Sequence, residues 1–126
     1  MSNLRILIAD DKQLVRNGLR LFLELHEGLE VCGEASDGVE AVRKAFELRP
    51  DIILLDLCMP NLDGLKAAEL IREGSPNAEI LIVSSHESLE AARIAAELGA
   101  CGYVTKSLIP SDLVPAIEEV VSRHAA

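Results

Sequence analysis

Short apolar runs alternate five times along the chain with segments in which apolar residues recur at every third or fourth position. The first, third and fourth runs are nearly continuous in isoleucine, leucine and valine, which is typical of parallel strands covered on both faces. The intervening segments have the periodicity of amphipathic helices. The five predicted strands cover residues 4–10, 29–35, 51–56, 79–85 and 101–106.

Local signals indicate where several of the helices begin and end. Asp37 and Glu40 form the pattern of a capping box at the start of the second helix. Gly99 follows an alanine-rich fourth helix and is expected to be its left-handed cap. The last helix is expected to begin near Ser111, because Pro115 is tolerated only in a first turn, where its missing N–H has no partner.

Five repeats of strand and helix within 126 residues indicate one α/β domain with a central parallel sheet. Right-handed crossovers and covering on both faces favour the doubly wound type of sheet. Ligands of such sheets bind at the carboxyl ends of the strands, close to the point where the strand order reverses. The residues at the strand ends are therefore the first candidates for a functional site.

Polar side chains stand at the carboxyl ends of four of the five predicted strands. Two carboxylates about 4 Å apart repel each other by about 4 kcal/mol at an effective dielectric constant of about 20, so three converging aspartates need a counter-charge. One lysine supplies a single positive charge, and a divalent cation would neutralise the remainder. Oxygen ligands suit a hard cation, which predicts a site for Mg2+ or Mn2+, although aspartates that merely cap helices are the alternative. The five polar residues are Asp10, Asp11, Asp56, Ser84 and Lys106.

A divalent cation beside a fixed carboxylate and a lysine suits phosphoryl transfer, in which positioning and charge neutralisation do most of the work. An aspartate can itself be the nucleophile of such a transfer. Asp56 is the candidate nucleophile, because it is the central one of the three and lies at the end of the most buried strand. Asp10 and Asp11 would then hold the metal, while Ser84 and Lys106 would contact the phosphoryl group.

Composition narrows the range of partners. A formal net charge of -9 argues against direct binding to nucleic acid. No apolar run approaches the roughly 18 residues of a transmembrane helix, and the N-terminus lacks the pattern of a secretory signal. Cys32, Cys58 and Cys101 are spaced like neither a zinc site nor a disulfide framework, so a reducing, cytoplasmic location is expected. We expect the three thiols to be apolar fillers.

Five motifs together resemble the receiver domain of two-component response regulators over essentially the whole chain. The closest likeness is to receivers that precede LuxR-type DNA-binding domains, the NarL/FixJ group. The resemblance implies the flavodoxin-like (CheY-like) fold, a (βα)5 domain with strand order 2-1-3-4-5. The motifs are "LIADDKQLVRNGL", "GEASDGVEAV", "PDIILLDLCMPNLDGL", "ILIVSSH" and "GACGYVTKS".

The resemblance also implies roles for residues of the acidic site. Asp56 matches the phosphoacceptor of the family. Asp11 matches a direct Mg2+ ligand, and Asp10 matches a residue that helps to hold the ion, often through water. The backbone carbonyl of Cys58 would complete the ligands that the protein contributes.

The conformational switch of the family has counterparts in this sequence. Ser84 matches the switch serine or threonine, Tyr103 the switch aromatic residue and Lys106 the lysine of the site. One departure concerns Ser107, which stands where many receivers have a proline in a cis peptide bond. The proline in a cis peptide bond is therefore absent or replaced in this chain.

Four further residues flank the site. Pro60 and Gly64 match the family's turn after the third strand, where glycine allows the backbone to approach closely. His86 is a candidate for tuning the lifetime of the phosphoryl group, and a solvated loop histidine is the alternative. Met59 is a second candidate for the same role, and simple packing of the loop is its alternative.

The resemblance implies a signalling switch that accepts a phosphoryl group from a histidine kinase and changes conformation to control an output. The expected output is transcription. Such a domain catalyses its own phosphorylation and dephosphorylation and is not a turnover enzyme in the usual sense. A homodimer that forms on phosphorylation fits the same scheme. A degenerate receiver that acts as an interaction module without phosphorylation is the alternative.

Residues 1–126 are predicted to be a receiver domain without a second domain in this sequence. The NarL/FixJ likeness favours a helix-turn-helix domain beyond Ala126, so that DNA would be bound only through that domain, and a single-domain protein is the alternative. Two other functions are disfavoured. A haloacid-dehalogenase-type phosphatase needs an acid where Cys58 stands, and a Rossmann enzyme needs a glycine-rich G-x-G-x-x-G loop that is absent.

Overall fold

Five parallel strands form one sheet in the order β2-β1-β3-β4-β5, which confirms the predicted fold. The structure is a computed structural model that describes residues 3–59, 61, 63–75, 77–85, 93 and 95–125. Each strand lies within one residue of its predicted bounds at either end. The strands are β1 (Leu4–Ala9), β2 (Leu29–Ala35), β3 (Ile52–Leu55), β4 (Glu79–Ser84) and β5 (Gly102–Thr105).

Helices connect the strands and cover both faces of the sheet. Within the predicted fourth helix, residues 93 and 95–97 are helical and Gly99 has a φ of 74°, the left-handed conformation expected of its cap. In the part of the chain that the structure describes, no helix combines the length and the hydrophobicity of a membrane span. The helices with defined bounds are α1 (Gln13–Glu24), α2 (Gly38–Leu48), α3 (Gly64–Gly74), a 3-10 helix (Lys106–Leu108) and the last helix (Ile109–Ala125).

The core consists of two apolar layers, one on each face of the sheet. Alternate strand residues point to opposite faces, so Ile53 and Leu55 pack towards α2 and α3, while Ile52 and Leu54 pack towards α1 and the last helix. All four residues of β3 are at most 1 % exposed. The central strand therefore fixes the backbone that leads directly into Asp56.

Side chains cap the starts of α2 and α3. The Asp37 carboxylate accepts a hydrogen bond from the Glu40 N–H at 2.7 Å, as the capping-box pattern predicts. The return bond differs from the standard box, because the Glu40 carboxylate accepts from the Ser36 N–H at 3.1 Å. Asp63 caps α3 by accepting from the Lys66 N–H at 2.9 Å.

The last helix begins earlier than predicted. It starts at Ile109, two residues before Ser111, where the 3-10 helix Lys106–Leu108 runs directly into it. Pro110 takes the first-turn position in which a missing N–H has no consequence. Pro115 lies inside the helix, so the prediction that it occupies the first turn is wrong.

Candidate functional site

Three carboxylates meet at the carboxyl edge of the sheet. Asp10 and Asp11 follow β1, and Asp56 follows β3, the neighbouring strand. Oxygen atoms of the three side chains all lie within 4.8 Å of one another. Asp10 and Asp56 are 2 % and 3 % exposed, whereas Asp11 faces solvent. The edge therefore combines two buried acids with one that is open to an incoming ligand.

Lys106 supplies the positive charge of this cluster. Its Nζ lies 2.6 Å from Asp10 Oδ2 and 3.2 Å from Asp56 Oδ2. The side chain reaches the cluster because β5 ends beside β4 and the 3-10 helix starts at Lys106 itself. Three carboxylates and one ammonium leave a formal charge of −3 + 1 = −2, which a divalent cation would balance.

Burial and charge shift the pKa values of the two partners. Burial raises the pKa of Asp56, and the nearby negative charge of Asp10 raises it further. The hydrogen bond from the Cys58 N–H and the charge of Lys106 lower the pKa, but the net effect is a raised pKa. Burial by itself would lower the pKa of Lys106, but the contacts with Asp10 and Asp56 outweigh it and raise the pKa. The Lys106 ammonium is therefore charged at neutral pH. In the absence of a metal, the ionised Asp56 carboxylate destabilises the folded protein.

The loop after β3 turns back tightly onto the strand end. The Asp56 N–H donates to the Ala9 carbonyl at 3.0 Å, and the Gly64 N–H donates to the Leu57 carbonyl at 3.0 Å. The Cys58 N–H donates to Asp56 Oδ1 at 3.2 Å. A Cβ atom on Gly64 would collide with the backbone of Asp56 and Leu57. Only glycine therefore permits this close approach of α3 to the site.

Replacing Gly64 with alanine is expected to destabilise the protein by about 2 kcal/mol, because rigid backbone would have to move away from the new methyl group. The matched control is Gly18→Ala, since nothing lies within 4 Å of a Cβ atom at that helical position. That control is expected to stabilise the protein by about 0.5–1 kcal/mol. Thermal unfolding followed by circular dichroism measures both effects, and a Gly64→Ala variant as stable as wild type would contradict the account.

Other predicted site residues take different positions. Ser84 is the last residue of β4 and is 1 % exposed. Tyr103 lies half-buried on β5, and its hydroxyl is buried without a hydrogen-bond partner among the described residues. Met59 is 8 % exposed and belongs to the core layer beneath α2 and α3, where it packs the loop. His86 and Pro60 lie outside the described residues.

Two residues that sequence patterns did not indicate, Lys12 and Arg16, contact the site, and a third, Glu34, holds Arg16. The Lys12 N–H donates to Asp10 Oδ1 at 2.8 Å. An Arg16 guanidinium nitrogen donates to the Asp10 carbonyl at 2.8 Å, and its Nε donates to Glu34 at 3.0 Å. The sequence feature that could have indicated Arg16 is its position early in α1, shortly after the aspartate pair. Its partner Glu34 is on β2, and no periodicity links the two.

The sequence profile described as "Response regulator receiver domain" matches residues 6–118. The chain belongs to this family. The transcriptional regulatory protein LiaR of Bacillus subtilis is 40 % identical to this receiver over 114 residues, which are 90 % of the receiver and 54 % of LiaR. The response regulator protein VraR of Staphylococcus saprophyticus is 31 % identical over 122 residues, 97 % of the receiver and 58 % of VraR. The receiver thus spans little more than half the length of the curated relatives that it matches.

Solved structures agree with this assignment. A LuxR-family two-component response regulator from Aurantimonas sp. SI85-9A1 has a TM-score of 0.90 and 42 % identity, with coverage of 96 % of the receiver and 86 % of that chain. The response regulator domain of Thermotoga maritima CheB has a TM-score of 0.85 and 32 % identity, with coverage of 94 % and 96 %. The predicted likeness to LuxR-type receivers is confirmed.

The acidic pocket of the receiver fits a hard divalent cation. Two oxygen ligands of one Mg2+ at about 2.1 Å stand about 3–4 Å apart, and the three carboxylates lie within 4.8 Å before any adjustment. Asp11 is open to solvent, so an ion can enter with water still attached. The donor set consists of oxygens, which is the chemistry that Mg2+ prefers.

Proposed function

We propose that this receiver accepts a phosphoryl group on Asp56 from a phosphohistidine of a partner histidine kinase, with Mg2+ held by Asp10, Asp11, Asp56 and the Cys58 carbonyl. The observation that carries the proposal is the contact of Lys106 with the buried Asp10 and Asp56 carboxylates beside the open Asp11. Mn2+ has the same ligand preference. The alternative of a degenerate receiver is not favoured, because all four charged side chains of the site are present.

The residues of the chain divide the work of the transfer. An Asp56 carboxylate oxygen attacks phosphorus, so that an oxygen–phosphorus bond forms and the bond between phosphorus and the histidine nitrogen breaks. Lys106 stands where it can leave the Asp56 carboxylate and pair with a phosphoryl oxygen. When bound, Mg2+ neutralises charge on the phosphoryl oxygens. Attack by water later removes the phosphoryl group, so the domain resets itself and is not a conventional turnover enzyme.

The conformational response would use Ser84 and Tyr103. Tyr103 pairs in register with Ile82 on β4, and Ser84 lies two residues further along β4, so both side chains are on the same face of the sheet. A phosphoryl group adds about one negative charge and new acceptor oxygens, which the Ser84 hydroxyl can contact. A buried hydroxyl without a partner is unfavourable, so Tyr103 has a reason to change position when Ser84 does.

The names of the relatives suggest an output for the switch. We infer that phosphorylation alters dimerisation or contact with an effector and thereby controls transcription, as the name of LiaR suggests for that protein. Contact with DNA would then be made by a further domain and not by this acidic one. A cytoplasmic location fits phosphorylation by a histidine kinase.

Incubation with acetyl phosphate and Mg2+, followed by intact mass spectrometry, tests the proposed function. Wild-type protein is expected to gain one phosphoryl group, and Asp56→Asn is expected to gain none. Asp112→Asn is a matched control, because it makes the same change at an exposed position on the last helix. An unmodified wild type, or a modified Asp56→Asn variant, would refute the assignment.

A further inference from the structure

One arginine joins the acidic site to the edge strand of the sheet. Arg16 donates through one terminal nitrogen to the Asp10 carbonyl at 2.8 Å and through Nε to Glu34 Oε1 at 3.0 Å. Its side chain is 15 % exposed, so most of the guanidinium is shielded from water. Arginine can hold two acceptors at once because its donors form a rigid fork. Arg16 therefore links β2 to the backbone at the end of β1.

Glu34 anchors this arginine. Its second carboxylate oxygen accepts a hydrogen bond from Arg20 Nε at 2.8 Å. Burial raises the pKa of Glu34, but the hydrogen bonds from Arg20 and Arg16 outweigh it, so the net pKa is lowered. The carboxylate is consequently ionised at neutral pH. Both arginines belong to α1, but among the described contacts only Arg16 also reaches the acidic site.

The peptide between Asp10 and Asp11 is the part of the site that Arg16 holds. A peptide unit is planar, so fixing the Asp10 carbonyl also fixes the direction in which the chain enters Asp11. The Lys12 N–H also spans this segment, because it donates to Asp10 Oδ1 at 2.8 Å. The restraints on the Asp11 side chain are weaker, since its described ion pair is with exposed Lys12 at 3.8 Å.

We propose that Arg16, held by Glu34, is a positioning residue that orients the Asp10–Asp11 peptide so that the Asp11 carboxylate faces the cation. The inference rests on the proposed function, in which Asp11 is a metal ligand. Groups that hold metal ligands in place typically contribute about 10–100-fold to metal affinity. The site therefore includes a second layer, contributed by α1 and β2, that no predicted site residue indicated.

Charge and positioning make opposite predictions for Arg16. Its guanidinium is a cation close to three carboxylates, so its electrostatic effect alone disfavours Mg2+ binding, and Arg16→Gln would tighten binding on that ground. If Arg16 positions the peptide, the same substitution weakens binding. The sign of the change in Mg2+ affinity thus separates the two effects.

The test is a calorimetric Mg2+ titration of the intact domain and of three variants. Arg16→Gln is expected to weaken Mg2+ affinity about tenfold. Arg20→Gln is the matched control: it also removes a bond to Glu34 but none to Asp10, and its affinity is expected to stay within about twofold of wild type. Arg16→Lys keeps the charge but has one ammonium in place of the fork, so we expect a loss similar to that of Arg16→Gln.

Phosphorylation by acetyl phosphate adds a readout that general loosening of the fold would not give. The Mg2+ concentration for half-maximal rate is expected to rise about tenfold in Arg16→Gln, whereas the rate at saturating Mg2+ is expected to stay within about twofold of wild type. Unchanged or tighter Mg2+ binding in Arg16→Gln, or wild-type binding in Arg16→Lys, would overturn the inference alone. A wild type that neither binds Mg2+ nor is phosphorylated would overturn the proposed function as well.

Discussion

Replacing Lys106 with methionine is expected to destabilise the metal-free domain by about 3 kcal/mol. Removing one partner of a buried ionic contact leaves the other charges without compensation, which typically costs about 3–5 kcal/mol. Here two nearly buried carboxylates, Asp10 and Asp56, would lose their ammonium. Methionine keeps much of the length of the side chain, so the loss is mainly electrostatic. The unfolding midpoint is expected to fall by about 10 °C.

The pKa of Lys106 defines the pH range of this effect. Its folded-state pKa is raised above the usual value of 10.5, so the stabilisation by Lys106 is fully present below that value and is lost as the pH rises through the folded-state pKa. Measurements at pH 7 therefore report the full difference. Lys66→Met is the control, because exposed Lys66 pairs with exposed Glu69 at 3.4 Å and such pairs contribute less than about 1 kcal/mol. Equal losses in both variants would contradict the account.

Asp56→Asn is expected to have the opposite effect on the metal-free protein. The pKa of Asp56 is raised above its usual value of 3.8, chiefly by burial. The folded protein therefore binds this proton more tightly than the unfolded chain, and the ionised carboxylate opposes folding as the pH rises above about 4. Asparagine removes that charge and keeps the shape. We expect Asp56→Asn to be more stable than wild type at pH 7, and the difference to be much smaller near pH 4.

Mg2+ is expected to reverse the order of stability of the wild-type protein and the Asp56→Asn variant. A ligand that binds only the folded state stabilises it by about 2.7 kcal/mol at a free concentration of about a hundred times its Kd. Wild-type protein is expected to gain this stabilisation, whereas Asp56→Asn, which lacks one ligand charge, is expected to gain much less. Thermal unfolding with and without Mg2+ measures both. Equal gains would mean that Asp56 does not contribute to the cation site.

The sheet could be predicted because its signal is local. The apolar residues of β1, β3 and β4 are buried on both faces, so their nearly continuous runs identify them without knowledge of their neighbours. The acidic site followed from the same pattern, since parallel strands bring their carboxyl ends to one edge of the sheet. Asp10 and Asp56 are 46 positions apart in sequence. They are close in space because they directly follow β1 and β3, which are neighbours in the sheet.

The features that could not be predicted depend on geometry between elements. Arg16 and Glu34 pair across 18 positions, and charged residues at such spacing give no periodic signal. The position of Pro115 could not be predicted, because two prolines compete for the first turn and local preference does not decide that Pro110 occupies it while Pro115 lies in the interior. Packing of the last helix against the sheet outweighs the penalty at Pro115.

Anomalous diffraction from crystals soaked in Mn2+ would show whether the three carboxylates hold a divalent cation, because it locates the ion without reference to activity. We expect one strong peak beside Asp11 and Asp56, at about 2.2 Å from a carboxylate oxygen of each. Asp11→Asn crystals treated in the same way should show a much weaker peak. Anomalous density elsewhere, with none between these two carboxylates, would contradict the account.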